Sequence, residues 1–261
     1  MDKAALFSVR NLVKRYGGIV AVNDVSFDVE QGSITGLIGP NGSGKSTTID
    51  CISGVQKANG GQWSLGGQPL QNLSPQRHAL AGLIRTFQTI RSYEDFTLIE
   101  SVLVAAQEHQ RIGWWSAFAS TAQVREIERS SRARAAELLE MVGLSPYANA
   151  PVAVLSYGQR KLLSIVCAMA SEPRLVILDE PVSGINPTMI HRVEEAIREF
   201  NARGTTILVV EHNMDFIMRL CKKVIVLVGG KLLTEGNPAA VQSDKRVLEA
   251  YLGDDAERVP A

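Results

Sequence analysis

Eight consecutive residues, Gly39-Pro40-Asn41-Gly42-Ser43-Gly44-Lys45-Ser46, constrain the fold of this chain more than any others. An apolar run over residues 33–38 leads into them, and a helix-compatible stretch follows from Ser46. Glycines at these spacings let the backbone curl until several N–H groups converge on one phosphate. The positive end of the following helix adds to that field. Lys45 supplies a point charge for the β- and γ-phosphates, the Ser46 hydroxyl is a Mg²⁺ ligand, and Thr47 is the next residue along the loop. An ordinary glycine-rich turn is the alternative, and the strand before and helix after favour the phosphate loop.

Elsewhere the chain alternates strand-like and helix-like segments. Residues 7–29 alternate apolar and polar side chains, and residues 63–65 with Gly66-Gly67 read as a hairpin. Ser74-Pro75 opens a short helix. Thr97 to Glu100 is a capping box that starts a helix to about His109. Residues 124–142 are amphipathic and stop at Gly143, and Ser156 caps a helix that ends before Pro173. Strands at 175–178 and 205–210 then alternate with helices at 187–201 and 212–220. A hairpin over residues 224–234 turns at Gly229-Gly230. Such alternation predicts an α/β fold with a mainly parallel sheet under helices. Lys plus Arg and Asp plus Glu are both 27, so net charge gives no argument for a nucleic-acid partner. Cys51, Cys167 and Cys221 lack metal-site spacing and are expected to be small buried thiols. The N-terminus carries no apolar signal region, and the longest apolar strings fall far short of the ~20 residues of a membrane span.

Residues 175–178 form an apolar strand that ends in Asp179-Glu180. A carboxylate there reaches a Mg²⁺ shell and the next polarises a water; the alternative is a simple cap for the following helix. Just upstream stands Leu155-Ser156-Tyr157-Gly158-Gln159, at a helix start suited to an anion. Taken in order, these three motifs resemble the ATP-binding-cassette family over almost the whole chain. The resemblance implies a P-loop NTPase of the ABC cassette kind, a single ABC ATPase domain over 1–261. It would hold a nucleotide-binding core with an N-terminal antiparallel β subdomain (1–88 and 166–261) and an α-helical subdomain (89–165). It also implies ATP and Mg²⁺ as ligands, with metal contacts from Ser46, Gln88 and Asp179. Glu180, His212 and Gln88 would act in hydrolysis. Tyr16 would stack on adenine, and Ser156, Gly158 and Gln159 would meet the nucleotide of a second subunit. Outside that resemblance, Tyr16 reads as core or surface, Gln88 as a solvated loop residue and His212 as a structural strand-end histidine. Tyr157 replaces a commoner Gly of the family, and Asn186, before Pro187, a commoner Asp.

One uninterrupted cassette is similar to a separate transporter subunit. Arg85-Thr86-Phe87-Gln88, the Tyr-containing signature, the aromatic insertion at Trp114, Trp115 and Phe118, and the ending Ala250-Tyr251-Leu252-Gly253 resemble bacterial importers of branched-chain (hydrophobic) amino acids. Importers of urea or short amides share much of this pattern, and a non-transport soluble cassette ATPase is the alternative of a different class. The resemblance implies a homodimer or a pair with a homologous ATPase subunit. It also implies permease partners, an indirect periplasmic solute-binding protein, no nucleic acid, and a peripheral place on the cytoplasmic face of the inner membrane. The Trp pair reads equally as helical-subdomain core or as partner contact.

Overall fold

A computed structural model describes residues 5–86, 94–107 and 122–256. Its first two strands, β1 (Ala5–Tyr16) and β2 (Ile19–Glu30), form an antiparallel hairpin, and β1 also pairs with β4 (Gly60–Leu65). With β5 (Gln68–Pro69) they make a four-stranded antiparallel sheet ordered β2-β1-β4-β5. The second sheet contains β3 (Ile34–Ile38), β6 (Leu83–Arg85), β7 (Leu175–Asp179), β8 (Thr206–Val210), β9 (Lys223–Val228) and β10 (Lys231–Gly236). Its order is β10-β9-β3-β8-β7-β6, parallel throughout except for the β9–β10 hairpin at one edge.

Strands β3, β7 and β8 are buried along their whole length, which is why they read as unbroken apolar runs rather than alternating ones. Successive side chains still point to opposite faces. Ile34, Ile38, Val176, Leu178, Ile207 and Val209 pack into one core. Leu37, Leu175, Ile177, Leu208 and Val210 pack into the other. The first core is closed by α3 (Leu98–Gln107), α4 (Ala122–Met141), α5 (Tyr157–Met169), α6 (Pro187–Ala202) and α7 (Met214–Leu220). The second lies under α1 (Lys45–Ile52) and the antiparallel sheet, with Ile49, Ile52, Phe7, Phe27 and Trp63 inside it.

Local signals set most boundaries. Ser74 accepts from the N–H of Arg77 and starts α2 (Pro75–Leu80). Thr97 and Glu100 form the expected reciprocal box, with bonds of 2.9 and 3.2 Å. Gly143, at φ +71°, ends the segment after α4. The last helical stretch expected before β9 begins two residues later than residue 212, because Asn213 rather than His212 caps α7. Cys221, expected in a helix, sits at the C-cap of α7. Strand β6 and the helices α8 (Pro238–Ser243) and α9 (Lys245–Ala256) were not anticipated. Strand β6 is too short to show a period, and the cap signal for α8 is Asn237-Pro238. Helix α5 runs unbroken across the expected 165/166 boundary. Cys51 and Cys221 are buried as expected while Cys167 is half-buried, and desolvation pushes all three thiols up, to about 11 for Cys51 and about 12 for Cys167 and Cys221. Among the described residues no helix is long and apolar enough to cross a membrane.

Candidate functional site

In open α/β sheets, ligands bind beyond the carboxyl ends of the strands. Here β3, β8, β7 and β6 are neighbours, and Leu37, Val210 and Asp179 stand in one register across three of them. Their carboxyl ends therefore deliver Gly39 to Ser46, Glu211-His212, Asp179-Glu180 and Thr86 to a single edge.

The loop after β3 is laced to two other segments. The N–H of Gly230 donates to the Ser43 carbonyl at 3.1 Å, and the N–H of Asn23 donates to the Gly230 carbonyl at 2.7 Å. Two glycines allow this closeness. A Cβ on Gly39 would run into the Leu227 carbonyl, and one on Gly44 would lie 2.6 Å from the Ala21 carbonyl. Gly44, at φ +96°, is also the N-cap of α1 and offers it no side-chain cap. The start of α1 thus carries no side-chain cap that would compete with an anion for its positive end. Lys45 Nζ bends over the loop, donating to the carbonyls of Gly39 at 2.7 Å and Pro40 at 2.9 Å. Asn41, Gly42 and Ser46 are exposed, while Ser43 is buried and Thr47 half-buried.

Asp179 ends β7 almost fully buried. Its Oδ2 accepts from Arg85 at 3.0 Å, and the same guanidinium donates to Asp50 Oδ1 at 2.6 Å and Ser53 Oγ at 3.2 Å. Burial pushes the Asp179 carboxyl above its ordinary range, and Arg85 pulls it back. Removing one partner of such a buried pair costs on the order of 3–5 kcal/mol. Glu180 follows with φ +48°, a left-handed backbone rare for a residue with a Cβ and worth roughly 1–3 kcal/mol of strain. Its carbonyl accepts from Lys161 Nζ at 2.8 Å.

His212 leaves the end of β8 with a side chain 60% exposed, its Nδ1 3.6 Å from the buried carboxylate of Glu211. Ser156 caps α5 in a complete box: its Oγ accepts from the Gln159 N–H at 3.3 Å, and Gln159 Oε1 accepts from the Ser156 N–H at 2.9 Å. Gly158 is buried against Met189, where a Cβ would meet Met189 Cγ at 2.8 Å. Tyr157 is 51% exposed beside Gly184. Asn186 caps α6 by accepting from the Met189 N–H at 2.9 Å, with Pro187 at its first position. The Asn186-Pro187 pair thus serves as an ordinary helix start. Tyr16 is exposed, and Lys14 Nζ lies 4.8 Å from the centre of its ring.

Gln88 lies outside the described residues, as do Trp114, Trp115 and Phe118. Three side chains beside the site had no role in the sequence reading. Arg85 was noted only as part of a resemblance, and its ion pair joins residues far apart in the chain. Lys161 falls on the buried stripe of α5 with Gly158, Leu162 and Ile165, a charge on an apolar face that could have been noticed. Glu211 directly follows an apolar strand much as Asp179 closes one, and that parallel is the available signal.

The chain matches the family described as "ABC transporter" over residues 22–183, which span both motif strands β3 and β7. It belongs to that family. The cassette is thus an ATPase of the ABC class. Its C-terminal residues 231–257 match a second family, "Branched-chain amino acid ATP-binding cassette transporter". It is 37% identical to the high-affinity branched-chain amino acid transport ATP-binding protein LivG of Salmonella typhimurium over 250 residues, 95% of this chain and 98% of that protein. The corresponding BraF protein of Pseudomonas aeruginosa is 34% identical over the same share of each chain. Among solved structures, the ADP conformation of an ATP-binding cassette of an ABC transporter superposes with TM-score 0.82 at 29% identity, over 96% of this chain and 100% of that one. A nucleotide-free ATP-binding cassette gives the same TM-score at 30% identity, over 95% and 98%.

Proposed function

We propose that this cassette hydrolyses Mg-ATP to energise a bacterial importer of branched-chain, hydrophobic amino acids. The match of residues 231–257 to the branched-chain cassette family carries the choice of solute, because that segment lies apart from the ATP motifs. Relatives named for the same transport, aligned over nearly their whole length, support it. The cassette works as a pair, with itself or a homologous ATPase subunit, on permease subunits at the cytoplasmic face of the membrane. A periplasmic binding protein delivers the solute. Residues 89–165 form its helical part, and 1–88 with 166–261 its nucleotide-binding core.

Nucleotide binding begins at the uncapped start of α1, where N–H groups, Lys45 and the exposed Gly42 and Ser46 face a phosphate. Lys45 would exchange its two carbonyl partners for phosphate oxygens. The donor set suits Mg²⁺. Ser46 and Asp179 are hard oxygen ligands, and Gln88 would add an amide oxygen. Among the described residues no cluster of three or more His, Cys, Asp or Glu could hold a metal alone. Mg²⁺ is characteristically held by one or two carboxylates together with substrate phosphates, so two or three protein ligands suffice. When bound, Mg²⁺ supplies positive charge at the phosphate oxygens. Glu180 takes the proton of the attacking water, His212 holds the γ-phosphate side, and Tyr16 packs on the adenine. Ser156, Gly158 and Gln159 face the nucleotide of the other subunit.

Replacing Glu180 with Gln tests both levels. Mg-ATP binding should persist while hydrolysis falls by roughly 10²–10⁴-fold. In vesicles carrying the permease and binding protein, ATP-driven uptake of labelled leucine should vanish with it. Near-parental turnover would move the base elsewhere, and uptake of urea or a short amide in place of leucine would reassign the solute.

A further inference from the structure

Two charged side chains are almost wholly buried against the turn that carries Glu180. Lys161 is 4% exposed, its Nζ donating at 2.8 Å to the Glu180 carbonyl and standing 5.7 Å from the centre of the Tyr157 ring. Glu211 is 1% exposed. Its Oε1 accepts from the Val182 N–H at 2.9 Å, and its Oε2 accepts from the N–H groups of His212 at 3.0 Å and Asn213 at 3.4 Å. The turn between them is also held by the Glu180 N–H on the Val210 carbonyl at 2.9 Å and the Ser183 N–H on the Glu180 carbonyl at 3.3 Å.

Packing alone does not account for either side chain. Among the described residues the Lys161 ammonium meets a neutral carbonyl and an aromatic face but no carboxylate; such a buried charge loses most of its hydration, and Leu or Met would fill the same stripe of α5 without that cost. Glu211 is likewise buried as an acceptor for three backbone donors, and burial pushes its carboxyl upward against their pull. What the two charges share is the turn. One fixes a carbonyl and the other an N–H two residues later, both just past the left-handed step at Glu180. They also come from the two flanking elements, α5 with its capped start and the end of β8 with His212.

We propose that Lys161 and Glu211 are positioning residues for hydrolysis, holding the Glu180–Val182 turn so that the Glu180 carboxylate stays aimed at the attacking water. Glu211 ties His212 to the same turn through its backbone N–H. This rests on the reading of Glu180 as the group that activates water. Neither side chain reaches a phosphate; each acts through Glu180, and misplacement by about 1 Å is enough to cost on the order of 10²-fold in rate.

The test uses the full chain with Lys161→Met and Glu211→Gln, each alone and combined with Glu180→Gln. Turnover is followed by steady-state and single-turnover hydrolysis, and affinity by ATP titration. Each single variant should lower kcat by about 10–100-fold while KM and ATP affinity change by less than about threefold. Lys161→Arg, which keeps a charged donor, should recover most of the rate. In the Glu180→Gln background the same substitutions should cost no more than about twofold further, because the group they position is already gone. Equal proportional losses in both backgrounds, or losses in affinity that match those in kcat, would overturn the proposal. So would parental kcat in both Lys161→Met and Glu211→Gln. Should the neutral variants fail to fold, Glu211→Asp decides: it keeps the charge but shortens the reach, so kcat should fall, and a parental kcat counts against the proposal. Parental turnover in Glu180→Gln alone would instead sink the reading of Glu180.

Discussion

The two helix starts that the sequence offers to phosphate differ in one respect. Helix α1 begins at Gly44 with no side-chain cap, whereas α5 begins at Ser156 with both halves of a capping box closed. A start without a side-chain cap presents its backbone donors and its dipole end to a ligand with no capping side chain in competition. A closed box has already satisfied two of those donors, so what Ser156 has left to offer is chiefly its hydroxyl proton. The difference assigns unequal tasks. Helix α1 should bind nucleotide by itself, while α5 should contribute little affinity and act once a second subunit brings it to a phosphate already held. Their surroundings agree. The loop before α1 packs on residues 21–22 and 227–230, and the start of α5 packs on Gly184 and Met189.

Breaking the first start should have the larger effect. Lys45→Ala removes a charge-assisted contact worth about 1.5–3 kcal/mol, so Mg-ATP affinity of the isolated subunit should drop at least tenfold. Isothermal titration would show it, and unchanged affinity would remove Lys45 from the site. Breaking the second start should leave that affinity nearly intact. Ser156→Ala should lower thermal stability by the roughly 0.5–2 kcal/mol of a lost cap and reduce hydrolysis only under conditions where subunits pair. Denaturant unfolding and ATP titration on the same sample would separate the two effects. A Ser156→Ala subunit that binds ATP as poorly as Lys45→Ala would erase the contrast between the two helix starts.

The same contrast explains what could be read from sequence. The β3–loop–α1 unit is local, and its glycines, Lys45 and Ser46 stand at fixed spacing, so the strand, loop and helix were all legible. The box at Ser156 and the fully buried strands β7 and β8 were legible for the same reason, as caps and unbroken apolar runs. What escaped were interactions between distant parts. Arg85 reaches Asp50 and Asp179, Lys161 reaches Glu180, and Glu211 reaches Val182. None of these pairs has a characteristic spacing, because topology rather than helical or strand period brings them together. The short strand β6 was missed for a related reason: three residues carry no period, and pairing with β7 makes them a strand.

The central claim is that one nucleotide is held by α1 of one subunit and completed by α5 of another. Mixing Lys45→Ala subunits with Ser156→Arg subunits tests it most directly, since each pure population has two defective composite sites. A mixed pair has one site with both defects and one with neither, so ATPase activity should return on mixing, toward half the parental rate per pair if the sites work independently. Absence of any recovery, with mixed pairs demonstrated by tagged co-purification, would contradict it.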